Sequence, residues 1–151
     1  MLNPRKSHFR LEEGNLLGHI ISKDCIKIDP ERIKAIQKVK DSRRKKEVQS
    51  FIGQVNFLRR FIPSLAEILM NITNMLRIYR EIKWTPDARA DFGDIKRDLT
   101  EAPVLVSLYF SRDFLIFSYA SEHTVFGVLL QKNDQNADLP MAFFSKVLRD
   151  G

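Results

Sequence analysis

Cysteine is almost absent from this 151-residue chain: Cys25 stands alone, so no internal disulfide can form and no thiolate cluster is available to a metal. A reducing compartment is the natural home of such a chain. No apolar run approaches the roughly 20 residues of a membrane-spanning helix. The start, Met1-Leu2-Asn3-Pro4-Arg5-Lys6, lacks the apolar centre of a secretory leader. The expectation is a soluble, intracellular protein, cytoplasmic or nuclear, with no membrane partner. Wholesale disorder is excluded in turn, because a hydrophobic fraction of 44% is enough for a core. The length fits one ordinary domain or two small ones.

What is present in excess is positive charge, and it is unevenly placed. Residues 1–60 hold 15 Lys/Arg against 7 Asp/Glu, a net +8, while residues 61–151 hold 10 against 12, a net −2. Such asymmetry fits a nucleic-acid surface, a solvated face or an acidic protein partner.

Within the basic half, Val48, Phe51, Ile52, Val55, Leu58 and Ile62 recur at three- and four-residue steps. On a 3.6-residue period they form one apolar stripe, which predicts an amphipathic helix ended by Pro63. Its other face carries Gln49, Gly53, Asn56, Phe57 and Arg60, also at helical spacing. An interior glycine costs roughly 1 kcal/mol against alanine, so its use suggests close approach to the backbone at Gly53. Amides that donate and accept, an aromatic ring and an arginine fork are groups that a nucleic-acid groove would meet. The same residues also fit a second arrangement, in which Gly53 makes room for a neighbouring helix and Phe57 joins a second core.

The run Glu47-Val48-Gln49-Ser50-Phe51-Ile52-Gly53-Gln54-Val55-Asn56-Phe57-Leu58-Arg59-Arg60-Phe61-Ile62 resembles the thumb helix of reverse transcriptases from gypsy-type long-terminal-repeat retrotransposons. That family reads approximately ELRSFLGLxNYYRRFI. Its helix lies along the minor groove of the template-primer duplex, so the resemblance implies that Gly53, Asn56 and Phe57 face the groove. Phe57 replaces the family's tyrosine, which keeps the ring and loses a hydroxyl.

Other segments resemble the same family in the same order. Asn3-Pro4-Arg5-Lys6-Ser7-His8-Phe9 and Leu16-Leu17-Gly18-His19-Ile20-Ile21-Ser22 match LNPKKCxF and FLGHxxS at the end of the palm, with Ser7 replacing a cysteine. The resemblance puts Leu17, Gly18 and His19 at the primer grip, a hairpin that holds the primer end, and gives His19 no catalytic part. The residues themselves suggest a hairpin of Ser7–Leu11 and Leu16–Ser22 joined by the turn-rich Glu12-Glu13-Gly14-Asn15. Ile26-Lys27-Ile28 adds a short strand. Asp29 and Pro30 then serve as N-cap and first residue of a helix to about Lys40, with Ile33, Ile36 and Val39 inward. The cations Arg43, Arg44, Lys45 and Lys46 follow at a helix start, where they oppose the dipole; this favours a solvent- or phosphate-facing role.

Beyond Pro63, Ser64 is placed to cap a short helix to about Met70, and Asn71 to Tyr79 reads as a further turn or two. Glu81-Ile82-Lys83-Trp84-Thr85-Pro86 resembles the family's FxWT signature. Thr85 caps a predicted helix from Pro86 to Thr100 whose apolar face is Ala88, Phe92, Ile95 and Leu99. Glu101-Ala102-Pro103-Val104-Leu105 matches SAPVL, a linker into an RNase H-like domain. Strands are predicted over Phe114–Tyr119, Val125–Gln131 and Met141–Phe144, the first buried on both faces because its apolar run is nearly continuous. Pro140 to Leu148 matches PIAYxSRxL, ahead of the helices that cover this sheet in the family. The expected fold is α+β: an N-terminal β-hairpin ending a palm (1–28), a helical thumb (29–80), a connecting helix and linker (81–105), and a three-stranded antiparallel, partial RNase H-like sheet (106–151).

Polymerisation in this family uses palm carboxylates that hold two metal ions. The chain has no Asp-Asp pair, so no polymerase activity is expected of it alone. RNase H chemistry in the family starts from the aspartate of TDAS, and the matching residues are Ser118-Tyr119-Ala120-Ser121. Tyr119 is neutral at physiological pH and a poor Mg²⁺ ligand. Asp113 and Glu122 are near in sequence but do not match that position. The resemblance thus implies an RNA/DNA hybrid or other duplex nucleic acid as partner, together with the rest of a polyprotein. It implies Mg²⁺ for the intact family, with no cofactor, metal or catalytic residue in this stretch. The alternative is a non-catalytic protein-interaction module, or a non-functional relic, using the unpaired edge or apolar face of the sheet.

Overall fold

A two-residue turn with both central residues at positive φ, Leu17 at 54° and Gly18 at 82°, joins strands β1 (Glu13–Leu16) and β2 (His19–Ser22). The computed structural model describes residues 12–78 and 82–148. The strands are antiparallel with Leu16 opposite His19, as in a type I′ hairpin. This corrects the expected hairpin: Gly14 and Asn15 lie in β1 rather than in the turn. Leucine at positive φ is an uncommon turn residue, so only Gly18 signals the turn. The run Ser7–Leu11 lies outside the described residues. Strand β3 (Cys25–Ile28) pairs antiparallel with β2. Strand β4 (Leu105–Val106), from the expected linker, pairs with β3 through Cys25↔Val106 and Ile26↔Leu105.

Asp29 caps α1 (Pro30–Gln37), its carboxylate accepting from the Glu31 N–H at 2.9 Å. The helix stops three residues short of Lys40 because the next carbonyls have other partners. Lys96 Nζ donates to Gln37 O at 3.0 Å and to Val39 O, so the chain is drawn onto α4 (Pro86–Thr100). Trp84 Nε1 donates to Ser42 O at 2.9 Å and fixes the turn into α2 (Lys45–Phe57).

The expected helix to Ile62 is broken into α2 and a 3₁₀ turn, Arg59–Phe61. Pro63 has no N–H with which to extend the ladder. Val48, Phe51, Val55, Leu58 and Ile62 are nevertheless buried together, with Ile52 at the margin. Residues 65–78 form one helix, α3 (Leu65–Ile78), in place of two short ones. Ser64 precedes it at φ 52°, and its carbonyl accepts from Glu67 and Ile68 N–H. Tyr79 lies outside the described residues. Thr85 caps α4 through the Ala88 N–H, and Ala88, Ile95 and Leu99 are buried against α1–α3 and β4.

The second sheet has the order β5 (Phe114–Ala120), β6 (Thr124–Lys132), β7 (Asp138–Val147), antiparallel throughout. Strand β7 docks on the helices: Arg59 donates to Ser145 O at 2.9 Å, and Ser145 Oγ accepts from the Ala66 N–H at 2.9 Å. Strand β5 is an edge, and its expected burial on both faces is wrong. Ile116 is 67% exposed and Tyr119 62%. An unbroken apolar run records how a strand could be covered, and among the described residues nothing covers this one. No helix of the described residues is long and apolar enough to cross a membrane.

Candidate nucleic-acid interface

The β1–β2 turn is locked to the start of α1 by a chain of short hydrogen bonds. Asn15 Oδ1 accepts from the Gly18 N–H at 3.1 Å, and Asn15 Nδ2 donates to Asp29 Oδ2 at 2.6 Å. The Asp29 N–H returns to Gly18 O at 3.1 Å. One carboxylate therefore caps the helix and fixes the turn. Leu17 stands exposed at the tip, and His19 begins the returning strand.

The fold brings His19 against α2. Its imidazole lies 4.8 Å from the Phe57 ring and 5.5 Å from Phe61, stacked on the latter at 16°. Arg32, in the first turn of α1, covers the Phe57 ring with its guanidinium carbon 4.6 Å from the centroid. Burial, then the charges of Arg60 and Arg32, lower the His19 pKa from its ordinary 6.5, against an opposing hydrogen bond with the Leu16 backbone. Neutral imidazole is thus favoured beside these positive charges.

Along α2, Gln49, Gly53, Asn56, Phe57 and Arg60 are all exposed. A Cβ added at Gly53 would meet nothing within 4 Å, so no neighbouring helix occupies the space beside it. Phe57 is 39% exposed and rests on His19 and Arg32 instead of entering a second core. Arg43, Arg44, Lys45 and Lys46 are exposed at the other end of this 13-residue helix, which at 1.5 Å per residue is about 20 Å long. Arg44 is engaged with Glu47 at 3.3 Å. The hairpin, the open helix face and the basic run therefore lie along one element. Arg32 is the member of this cluster that sequence motifs missed, and its only local signal is a position in the first helical turn after Pro30.

The family described as "RNase H-like domain found in reverse transcriptase" matches residues 84–151. Over 97% of its length the chain is 30% identical to a retrovirus-related Pol polyprotein from transposon opus of Drosophila melanogaster. Over 96% it is 31% identical to the transposon Tf2-3 polyprotein of Schizosaccharomyces pombe. Over nearly its whole length the chain is thus similar to retrotransposon Pol polyproteins. It spans 16% of the first relative and 11% of the second. In fold, the chain is similar to the foamy viral protease-reverse transcriptase in complex with dsDNA, with a TM-score of 0.80, 25% identity, and coverage of 97% of this chain and 30% of that one. The same viral protein in complex with RNA/DNA hybrid gives a TM-score of 0.79 at 26% identity, covering 97% and 20%. The α+β architecture is thus that of a reverse transcriptase with an RNase H-like domain.

The RNase H-like part places Tyr119 on the exposed edge strand, its ring 5.3 Å from Phe126. A phenol on an open strand does not fit a two-metal carboxylate centre. Among the described residues no three of His, Cys, Asp and Glu are placed to share a metal ion. Asp113 and Glu122 are exposed beyond the two ends of β5.

Proposed function

We propose that this stretch of the Pol polyprotein grips a nucleic-acid duplex, an RNA/DNA hybrid template-primer, and performs no chemical step itself. Residues 1–28 end the palm and carry the primer grip, 29–80 are the thumb, 81–105 connect, and 106–151 belong to the RNase H-like domain. The observation that carries this reading is the His19–Phe57 contact, which makes one surface of the hairpin and α2. Open space beside Gly53 supports it, because a backbone without a side chain admits the wall of a groove. The foamy viral protein of similar fold has been solved with both dsDNA and RNA/DNA hybrid.

On this surface Gln49 and Asn56 supply amide donors and acceptors, Phe57 an apolar platform, and Arg60 a charge-assisted donor to phosphate. Leu17, Gly18 and His19 hold the strand end, and Arg43 to Lys46 follow the backbone further along. Tyr119 cannot replace a metal-binding aspartate, so neither Mg²⁺ nor hybrid cleavage belongs to this stretch; the intact family supplies both elsewhere. Titration of the protein into a labelled RNA/DNA hybrid at several salt concentrations tests the reading. Binding should weaken linearly in log–log form as salt rises, and an absence of binding at low salt would contradict it.

One observation favours a second reading. Strand β5 exposes Ile116, Phe117 and Tyr119 beside an apolar hollow of about 200 Å³ lined by Pro63, Phe126, Val128 and Phe143. That surface fits a further segment of the polyprotein. Adding such a segment should quench the binding of an apolar dye, whereas undiminished dye binding would exclude it.

A further inference from the structure

Arg32 belongs to no recognised motif, yet the fold holds it in one place. Its guanidinium lies over Phe57, and its side chain runs against the turn at Gly18. A Cβ on Gly18 would stand 2.7 Å from Arg32 Cδ and 2.8 Å from Nη1, so a side chain here would displace the arginine, while the φ of 82° itself favours glycine. The buried Nε of Arg32 has no hydrogen-bond partner among the described residues, and neither has the buried Nε2 of His19. The acids nearest in sequence are committed elsewhere: Asp29 to the Glu31 N–H and Asn15, and Glu31 to Lys34 at 2.7 Å. Arg60 brings a second guanidinium near enough to act on His19. A guanidinium and an imidazole thus meet at one ring, each with a buried nitrogen that has no partner among the described residues.

We propose that Arg32 and His19, both set against Phe57, form a phosphate site that takes a single backbone phosphate of the bound duplex. This rests on the duplex-binding reading and adds to it a residue and a point of contact. Stacking on Phe57 orients the plane of the Arg32 guanidinium in advance, so its paired donors lose little freedom on meeting two phosphate oxygens. The phosphate supplies the missing counter-charge, and imidazolium becomes an additional donor once the anion is bound. Gly18, besides its place in the grip, then makes room for Arg32.

Anisotropy titrations of an RNA/DNA hybrid across a salt series, with parent protein, Arg32→Gln and Arg32→Lys, test this. Arg32→Gln should weaken binding on the order of tenfold and flatten the slope of log K against log salt by about one unit. Arg32→Lys should keep the slope and recover part of the affinity. Neutral methylphosphonates placed one at a time in each strand read the same contact on the unaltered protein. One position should lose both affinity and slope in the parent and lose nothing further in Arg32→Gln. Parent-like affinity and slope in Arg32→Gln, or no such position, would overturn the phosphate site and leave duplex binding standing. No hybrid binding by the parent would overturn both. Inorganic phosphate should displace the hybrid no better than chloride at equal ionic strength; displacement specific to phosphate and lost in Arg32→Gln would make this a free-anion site and overturn the assignment to a strand.

Discussion

The His19 and Phe57 rings lie 4.8 Å apart, tilted at 32°, and this contact fastens the β1–β2 turn to the C-terminal end of α2. Phe61 closes the other side of the imidazole at 5.5 Å. Groups that the resemblance assigns to the primer grip and to the thumb therefore share a single aromatic cluster beneath Arg32.

His19 makes both stability and binding depend on pH. Burial, Arg60 and Arg32 lower its pKa below 6.5, so the unfolded chain takes up the proton first. Its contribution to stability is present above that value and is lost as pH falls through the lowered one. A bound polyanion opposes that lowering, so hybrid affinity should rise as pH falls through the titration of His19. Thermal midpoints and Kd across pH should both flatten in His19→Gln; a Kd of the parent that ignores pH would contradict this.

Gly53 separates folding from binding. With nothing within 4 Å of an added Cβ, Gly53→Ala should stabilise the helix by about 1 kcal/mol, raising Tm by roughly 2–4 °C. Gly53→Trp should also fold, but it should weaken hybrid binding by tenfold or more, by order of magnitude, because it fills the groove-facing space. Parent-like binding by the tryptophan variant would place the duplex elsewhere.

Replacing Arg43, Arg44, Lys45 and Lys46 by glutamine should weaken hybrid binding and flatten its salt slope by about one unit for each phosphate contact removed. Arg44 already pairs with Glu47, so its share should be small. An unchanged slope would assign the run to plain solvated surface.

Tyr119→Asp should not create magnesium-dependent hybrid cleavage, since one carboxylate is not a two-metal centre. At 62% exposure the change should move stability by only about 0.5 kcal/mol, because little packing is lost. Hybrid cleavage assays and melting curves with and without Mg²⁺ check both, and cleavage by either form would overturn the inactive reading.

Short-range chemistry was legible in the sequence. The caps Asp29 and Thr85 and the stripe from Val48 to Ile62 follow from side-chain type and spacing, whereas the open face at Gly53 is one of two arrangements those residues allow. Apart from one turn, what was not legible depended on distant chain. The turn at Leu17-Gly18 was masked because leucine is a poor residue for positive φ, and α1 ends early because Lys96, from α4, takes its last carbonyls. The pairing of β4 with β3 joins segments that nothing local connects. Burial of β5 was misjudged because an apolar run does not say whether a covering layer is present. Arg32 escaped notice because its meaning comes from Phe57 and Gly18, on other elements.

Cross-linking reads the position of the duplex most directly. In a Cys25→Ser background, a cysteine at Asn56 on α2 or at exposed Ala90 on α4 would carry a short photo-reactive group, with a labelled RNA/DNA hybrid present. Strong, salt-sensitive cross-links from position 56 and none from position 90 are predicted. Equal yields at both positions, or none at 56 under conditions where the hybrid is bound, would contradict a duplex lying along α2.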